Sequence, residues 1–284
     1  MATVKDLYKI TALTNLHVGS GDQNYGIVDK LVQRDPLSRL PVIHASSLKG
    51  ALKIYCREVL GMTEANNPPF RNSFGSEHNQ GNDKYFSAHL LTIPIRSNVK
   101  PYFRATCPSI LNEIYDLMLS FNFLATDNFL LAIKKLKDAC NRWDKKFLVF
   151  NDLPVNAIIE EYAFAGEFDN KTEVFADNKI RDDLGYKKED LVIVRDDVFM
   201  EICENLPVVA RNRMDKHKNL WYEELVPRQS EFCFFYVGAK ENRVAILDEI
   251  VKISSQGMPV QIGANATVGY GFCKIEKSAG HEAR

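Results

Sequence analysis

The stretch "IHASSLKGALKIYCREVLG", residues 43–61, carries the clearest helix signal in the chain. Leu48, Leu52, Cys56 and Leu60 recur at helical spacing with Val59 beside them, which makes one apolar stripe. Ser46 or Ser47 can cap its start, and Gly61 suits the left-handed residue that ends a helix. On the opposite side Lys49, Lys53 and Arg57 fall at i, i+4 and i+8, so three cations share one stripe, about 6 Å apart per step. Upstream, "LYKITALTNLHVG", residues 7–19, alternates loosely and is rich in Thr, Ile, Leu and Val. It reads as a strand running into a loop at Gly19, so a long loop separates strand from helix.

The pattern continues outward in the same mixed way. "AHLLTIPIRS" (88–97) reads as a strand, "PSILNEIYDLMLSFNF" (108–123) as a helix with Pro108 early in it, and 128–143 as an amphipathic helix. Residues 206–227, "LPVVARNRMDKHKNLWYEELVP", read as two strands around a polar turn at 215–219. That is a long hairpin with Arg211, Arg213, Lys216 and Lys218 near its tip. "AILDEIVKISSQG" (245–257) gives a helix ending at Gly257, then a glycine-bearing loop and a last strand, "FCKIEK". Strands and helices do not alternate regularly, so an α+β arrangement on an antiparallel sheet is expected. No internal repeat breaks the chain, which reads as a single domain, 1–284, with an insertion at about 160–201.

With 284 residues, 45% hydrophobic and 26% charged, the chain has the composition of a globular protein. No apolar run reaches the roughly 18 residues that span a bilayer, and "MATVKDLYKI" lacks the apolar core of a signal peptide, so a cytoplasmic protein with no membrane partner is expected. The six cysteines lie at least 30 residues apart, unlike a zinc site or a disulfide scaffold. The net charge of −1 argues against a free-standing nucleic-acid binder. That average conceals a local imbalance: residues 160–201 hold 13 acidic and 6 basic side chains, a balance of −7, which leaves +6 for the remainder.

Two glycine-rich stretches, 19–26 and 262–272, lack the Gly-Lys-Ser/Thr of a phosphate loop. Asp29 follows "GIV", so an apolar anchor sets it at the edge of the sheet. With His17 it offers an acid/base or metal-holding pair. On spacing alone, the structural reading outweighs the catalytic one: His17 as a satisfied structural histidine and Asp29 as a capping or salt-bridged residue. Arg34 can pair with a nearby acid, and the remaining histidines show no ligand spacing.

Taken in order, "LHVGSGDQNYGIVDKLVQRD", "PVIHASSLKGALK", "FGS" at 74–76, "AHLLTIPIRS", "LWYEELVPR" and "VQIGANATVGYGFCKI" resemble the repeated backbone subunits of type III-B (Cmr) CRISPR effector complexes. These are RAMP proteins, built on ferredoxin-like, RRM-related folds. The resemblance runs from about residue 7 to 275 and is weakest over 160–201. It implies copies of the chain along one guide RNA, with other subunits of the complex, each copy cutting the opposed target RNA at regular intervals. It matches Asp29 to the aspartate associated with cutting, His17 to the histidine of "H-x-G-S-G", and Tyr222, Glu223 and Glu224 to the "Y-E-E" element. It also implies guide contacts at Ser46, Ser47, Lys49, Gly50, Lys53 and Arg57, and at Gly263, Gly269 and Gly271 of the loop 262–271. The hairpin, about 206–226, with Arg211 and Arg213, becomes a thumb wedged into the guide–target duplex. Ala264 stands where many members carry a second glycine.

The chemistry fits this implication. RNA is cut when its own 2′-hydroxyl attacks the adjacent phosphate, so the protein must hold the backbone in line, help remove a proton and offset charge. One carboxylate, Asp29, with Mg²⁺ or Mn²⁺ bound chiefly through the RNA is sufficient. Two alternatives remain at this point: a scaffold that holds guide RNA without cutting, and a guide-processing RAMP endonuclease that works through a histidine without metal. The acidic segment would meet a basic face of the next copy.

Overall fold

Strand β1 (Thr3–Ala12) is the axis around which the first of two structural units is built. In this computed structural model the described residues are 2–21, 27–124, 126–141, 143–163, 167–176, 178–212 and 220–282. After β1 come β2 (Val42–Ile43), α1 (Ala45–Glu58), α2 (Pro68–Phe74), β3 (Lys84–Tyr85) and the start of β4 (Ala88–Arg96). The second unit, Leu91–Cys203, takes the rest of β4, then β5 (Tyr102–Thr106), α3 (Pro108–Ser120), α4 (Asn128–Ala139) and β6 (Phe147–Val149). It continues with β7 (Ile158–Ile159), β8 (Tyr162–Ala163), β9 (Phe168–Asn170), α5 (Lys179–Leu184), β10 (Leu191–Val194) and most of α6 (Asp196–Glu204). The chain re-enters the first unit through β11 (Val208–Asn212), β12 (Leu220–Glu224), β13 (Glu231–Ala239), α7 (Lys240–Arg243), α8 (Glu249–Ser255), β14 (Val260–Gln261) and β15 (Phe272–Glu282).

In the first unit the sheet order is β14-β15-β1-β13-β3, antiparallel throughout. Taking β1, β3, β13 and β15 as first to fourth, their spatial order is fourth, first, third, second. A helix, α1, follows the first strand and another, α8, the third. This is the split βαβ arrangement of a ferredoxin-like fold. Flanked on both edges, β1 buries Leu7, Tyr8, Ile10 and Ala12, and Tyr8 stacks on its register partner Phe234 at 5.2 Å. The apolar stripe of α1 lies inward as its spacing requires, with Leu48, Leu52, Tyr55 and Cys56 buried.

The start of α1 differs from expectation. Neither Ser46 nor Ser47 caps it; both lie in the first turn, after His44. The Ala45 N–H is satisfied from a distance instead, by Ser87 Oγ at 3.2 Å, a partner that local sequence does not reveal. The other end is as expected: Gly61 has φ 65°, and the Met62 N–H donates to the Cys56 carbonyl at 2.9 Å.

The chain, read as one domain, divides into two compact units, the second being Leu91–Cys203. Two further expectations need correction. In the second unit the strand order is β4-β5-β10-β6-β9 and the pairing is mixed rather than antiparallel, since β5–β10 and β6–β9 run parallel. Residues 160–201, read from the sequence as an insertion, contribute to the core: Leu191–Val194 is wholly buried as the strand between β5 and β6. The surrounding acids swamp this four-residue apolar run in any charge average. Several of those acids already hold cations within their own unit, as in Arg96–Glu160 (2.8 Å), Lys146–Glu167 (3.7 Å) and Arg195–Asp197 (2.6 Å).

Leu52→Ala removes a fully buried side chain of α1 and is expected to cost about 3 kcal/mol in denaturant unfolding; a loss under about 1 kcal/mol contradicts this packing.

Candidate active site

A cavity of about 710 Å³ opens in the first unit between the loop after β1, the end of β12 and the glycine-rich loop. His17, Gly19, Ser20, Asp29, Lys30, Glu223 and Asn265 are among its lining residues. The expected proximity of His17, Asp29 and the "Y-E-E" element is therefore present. It arises because residues 29–30 run alongside β12. Asp29 and Lys30 donate their N–H groups to the Tyr222 carbonyl, each at 3.1 Å, and Glu224 donates its N–H to the Lys30 carbonyl at 2.9 Å. The Asp29 carboxylate accepts the Tyr222 N–H through Oδ2 at 2.7 Å. Asp29 itself stays exposed.

The two glutamates are buried, at 1% and 4% exposure, and side chains alternate along a strand, so they serve different neighbours. Glu223 Oε1 lies 3.3 Å from His17 Nε2 and accepts Asn265 Nδ2 at 2.7 Å, and Oε2 pairs with the Arg211 guanidinium. Glu224 is held by Arg34 at 2.5 Å and by the Val32 N–H at 3.0 Å, and it is absent from the cavity lining. His17 is likewise occupied: Nδ1 faces the Glu224 carbonyl at 2.7 Å, which can only accept, so Nδ1 carries a proton. Its ring therefore braces the loop against β12. Among these matched residues, Asp29 is the exposed carboxylate, while Tyr222 is 39% exposed on the hairpin.

The glycine-rich loop is demanded by the protein itself. Gly263 has φ 85°, and a Cβ there would collide with the His17 carbonyl; Gly271 has φ 79°, and its Cβ would collide with the Ile262 carbonyl. Gly269 also has positive φ, facing open space. Ala264 donates its N–H to the His17 carbonyl at 2.9 Å, a contact that a side chain at 264 leaves undisturbed.

The cationic stripe of α1 forms, though not as three free cations. Glu64 binds both Lys53, at 3.2 Å, and Arg57. Its backbone N–H, with Arg57 and Lys53, holds the Glu64 carboxyl down at about 2, so it is ionised at any neutral pH. Lys49 lies 5.7 Å over the Tyr85 ring, and burial moves its ammonium below the usual lysine range. Ser46 and Gly50 are exposed, and Ser47 is half-buried.

β11 and β12 pair from Val208↔Glu224 to Asn212↔Leu220, as the hairpin reading expects. Arg211 is bound to Glu223 and stacks 4.5 Å over Tyr270. Arg213, Lys216 and Lys218 lie outside the described residues, as does 22–26 of the first loop. Gln33, Lys30 and Asn265 are site residues that the sequence reading left without a role. Lone polar side chains whose partners are far along the chain carry no local signal.

The burial contrast predicts different costs on truncation. Glu223→Ala strands His17 and Arg211 and is expected to lower unfolding free energy by about 3 kcal/mol. Asp29→Ala removes one hydrogen bond at the surface and is expected to cost about 1 kcal/mol. Denaturant unfolding of both variants measures this, and equal losses contradict the division.

The family profile of the RAMP superfamily matches residues 9–274. The chain is 32% identical to "CRISPR system Cmr endoribonuclease Cmr4" of Pyrococcus furiosus, over 95% of this chain and 94% of that one. It is 25% identical to "CRISPR system CMR subunit Cmr4" of Saccharolobus solfataricus, over 94% of each. The fold matches a chain in the cryo-EM structure of the type III-B Cmr-beta complex bound to cognate target RNA, with TM-score 0.76 at 24% identity over 96% of this chain and 97% of that one. It also matches oligomeric Cmr4 from Pyrococcus furiosus, with TM-score 0.65 at 22% identity over 100% and 99%. The chain belongs to the RAMP superfamily and, within it, to the Cmr4 family.

Proposed function

We propose that this chain is the repeated backbone subunit of a type III-B CRISPR effector complex, in which it holds guide RNA and cuts the complementary target RNA through Asp29. On this reading its partners are guide RNA, target RNA, further copies of itself and other Cmr subunits, and it works in the cytoplasm. The observation that carries the catalytic assignment is the exposed Asp29 carboxylate at the cavity, fixed to the Tyr222 N–H while Glu223, Glu224 and His17 are engaged inside the protein. A carboxylate so held can accept the proton of a 2′-hydroxyl that attacks the adjacent phosphate. The 5′-oxygen leaves with a proton from solvent, giving a cyclic phosphate and a free 5′-hydroxyl. Lys30, which lines the same cavity, is placed to offset phosphate charge. The exposed Val208, Leu220 and Tyr222 of the hairpin suit a thumb that meets bases rather than solvent.

A divalent ion fits here in one form. Among the described residues, no group of three or more His, Cys, Asp or Glu side chains could hold a metal ion. The neighbouring acids are bound to cations and amides, so Mg²⁺ or Mn²⁺ would have Asp29 from the protein and its other ligands from water and RNA phosphate. Such an ion supplies charge neutralisation at the phosphate. Among the described residues, no helix is long and apolar enough to cross a membrane.

Two outcomes test this function. In the reconstituted guide-bound complex, a 5′-labelled target gives evenly spaced products; Asp29→Ala is expected to abolish them with target binding retained, and EDTA to do the same to wild type. Cutting that survives Asp29→Ala makes the chain a guide-holding scaffold. Cutting that survives EDTA removes the metal from the reading. Separately, Glu64→Gln releases Lys53 and Arg57 toward phosphate, so affinity for RNA at low salt is expected to rise about threefold or more. Unchanged affinity in a filter-binding titration takes the α1 stripe out of the guide path.

A further inference from the structure

We propose that Gln33 is a positioning residue for cleavage, coupling the helix that holds guide RNA to the loop that carries Asp29. The proposal rests on the function above: Asp29 does the chemistry and α1 meets the guide. Gln33 is 8% exposed, and all its polar groups are used. Its N–H donates to the Val18 carbonyl at 2.8 Å, and its carbonyl accepts the Val42 N–H at 3.0 Å. The side-chain Nε2 donates to the Gly19 carbonyl at 3.2 Å and to Ser47 Oγ at 3.0 Å, while Oε1 accepts the His44 N–H at 2.8 Å.

These bonds lie at one mechanical junction. Gly19 and Val32 bridge, and the Ser20 N–H donates to the Leu31 carbonyl at 3.0 Å, so residues 19–20 and 31–32 form a closed neck. Asp29 hangs three residues from that neck. Gln33 grips the neck with one donor, and with its other donor and its acceptor it grips His44 and Ser47 at the start of α1. Lys49 follows two residues after Ser47, and Lys53 and Arg57 continue along the same helix. A shift of α1 on seating RNA is therefore transmitted to the loop through one amide.

The residue type is dictated by the geometry. The site needs two donors and an acceptor on one flexible stem, which only an amide supplies. Met matches the stem and makes none of the bonds. Glu keeps the acceptor and loses both donors, setting a carboxylate against the Gly19 carbonyl. A displacement of about 1 Å in a reacting group costs around a hundredfold in rate, so loss of this tie should appear in the chemical step.

The test is single-turnover cleavage of saturating labelled target by guide-loaded complexes carrying wild type, Gln33→Met, Gln33→Glu, Ser47→Ala, Gln33→Met with Ser47→Ala, and Asp29→Ala. Guide and target affinities are measured on the same samples. The expected result is a rate loss of tenfold or more for Gln33→Met and Gln33→Glu, with half-saturating target concentration changed less than about threefold, a smaller loss for Ser47→Ala, and a double variant no slower than Gln33→Met. Undiminished rates in Gln33→Met, or rate and affinity falling together, overturn the proposal. Should Gln33→Met fail to assemble, Ser47→Ala decides alone: a slowed chemical step at unchanged target affinity supports the coupling, and an unchanged rate overturns it. Cutting by the Asp29→Ala complex sinks the parent reading instead, so the two failures are told apart.

Discussion

Two adjacent carboxylates buried at the end of one strand, Glu223 and Glu224, hold the site together. Neither could remain ionised and buried without partners, so each recruits them from distant parts of the chain. Glu223 gathers His17, Arg211 and Asn265, and Glu224 gathers Arg34 and the Val32 N–H. The loop after β1, the hairpin and the glycine-rich loop are thereby tied to a single point. The backbone follows: Leu16 and Val226 exchange N–H bonds at 2.9 and 2.8 Å, and Ala264 closes on the His17 carbonyl.

On the proposed reading, this arrangement separates holding from chemistry. The buried acids are paired inside the protein, and Asp29, whose carboxylate is held to the same strand by one backbone N–H, keeps its exposure. A similar division marks the cations. Arg211 and Arg34 are consumed inside, while Lys53 and Arg57 are shared with Glu64 on the surface, where a phosphate can compete for them. If the guide lies on α1 as proposed, a near-neutral protein is in this way basic where the guide lies, with sequence read by base pairing rather than by its side chains. The thiols take no part: Cys56 and Cys273 are buried and their pKa values are pushed up to about 12 by burial.

Local periodicity made much of this legible. The stripe of α1, the extended β1 and the paired strands of the hairpin follow from spacings that each segment carries within itself. The α+β class follows from their order, and the ferredoxin-like first unit was legible through the family resemblance. Asp29, His17 and the adjacent glutamates were legible as a constellation through the family resemblance, whereas their different tasks were not. Which acid is buried depends on partners nearly two hundred residues away, as with Glu224 and Arg34. The Ser87 bond at the start of α1, between residues 42 apart, and the ties of Gln33, between residues 11 to 14 apart, are likewise made only by folding and leave no periodic signal. The buried strand β10 of the second unit was hidden because it is only four residues long and lies amid acids.

The most direct measurement is a structure of the guide-bound complex with a target carrying a 2′-fluoro group at the scissile nucleotide. If Asp29 is the chemical group, its carboxylate lies within about 3 Å of that 2′ position or is bridged to it by one water or metal ion. Glu223 would then still hold His17, Arg211 and Asn265. A structure in which Glu223 has left those partners to meet the RNA, with Asp29 remote from the scissile phosphate, contradicts the division between holding and chemistry.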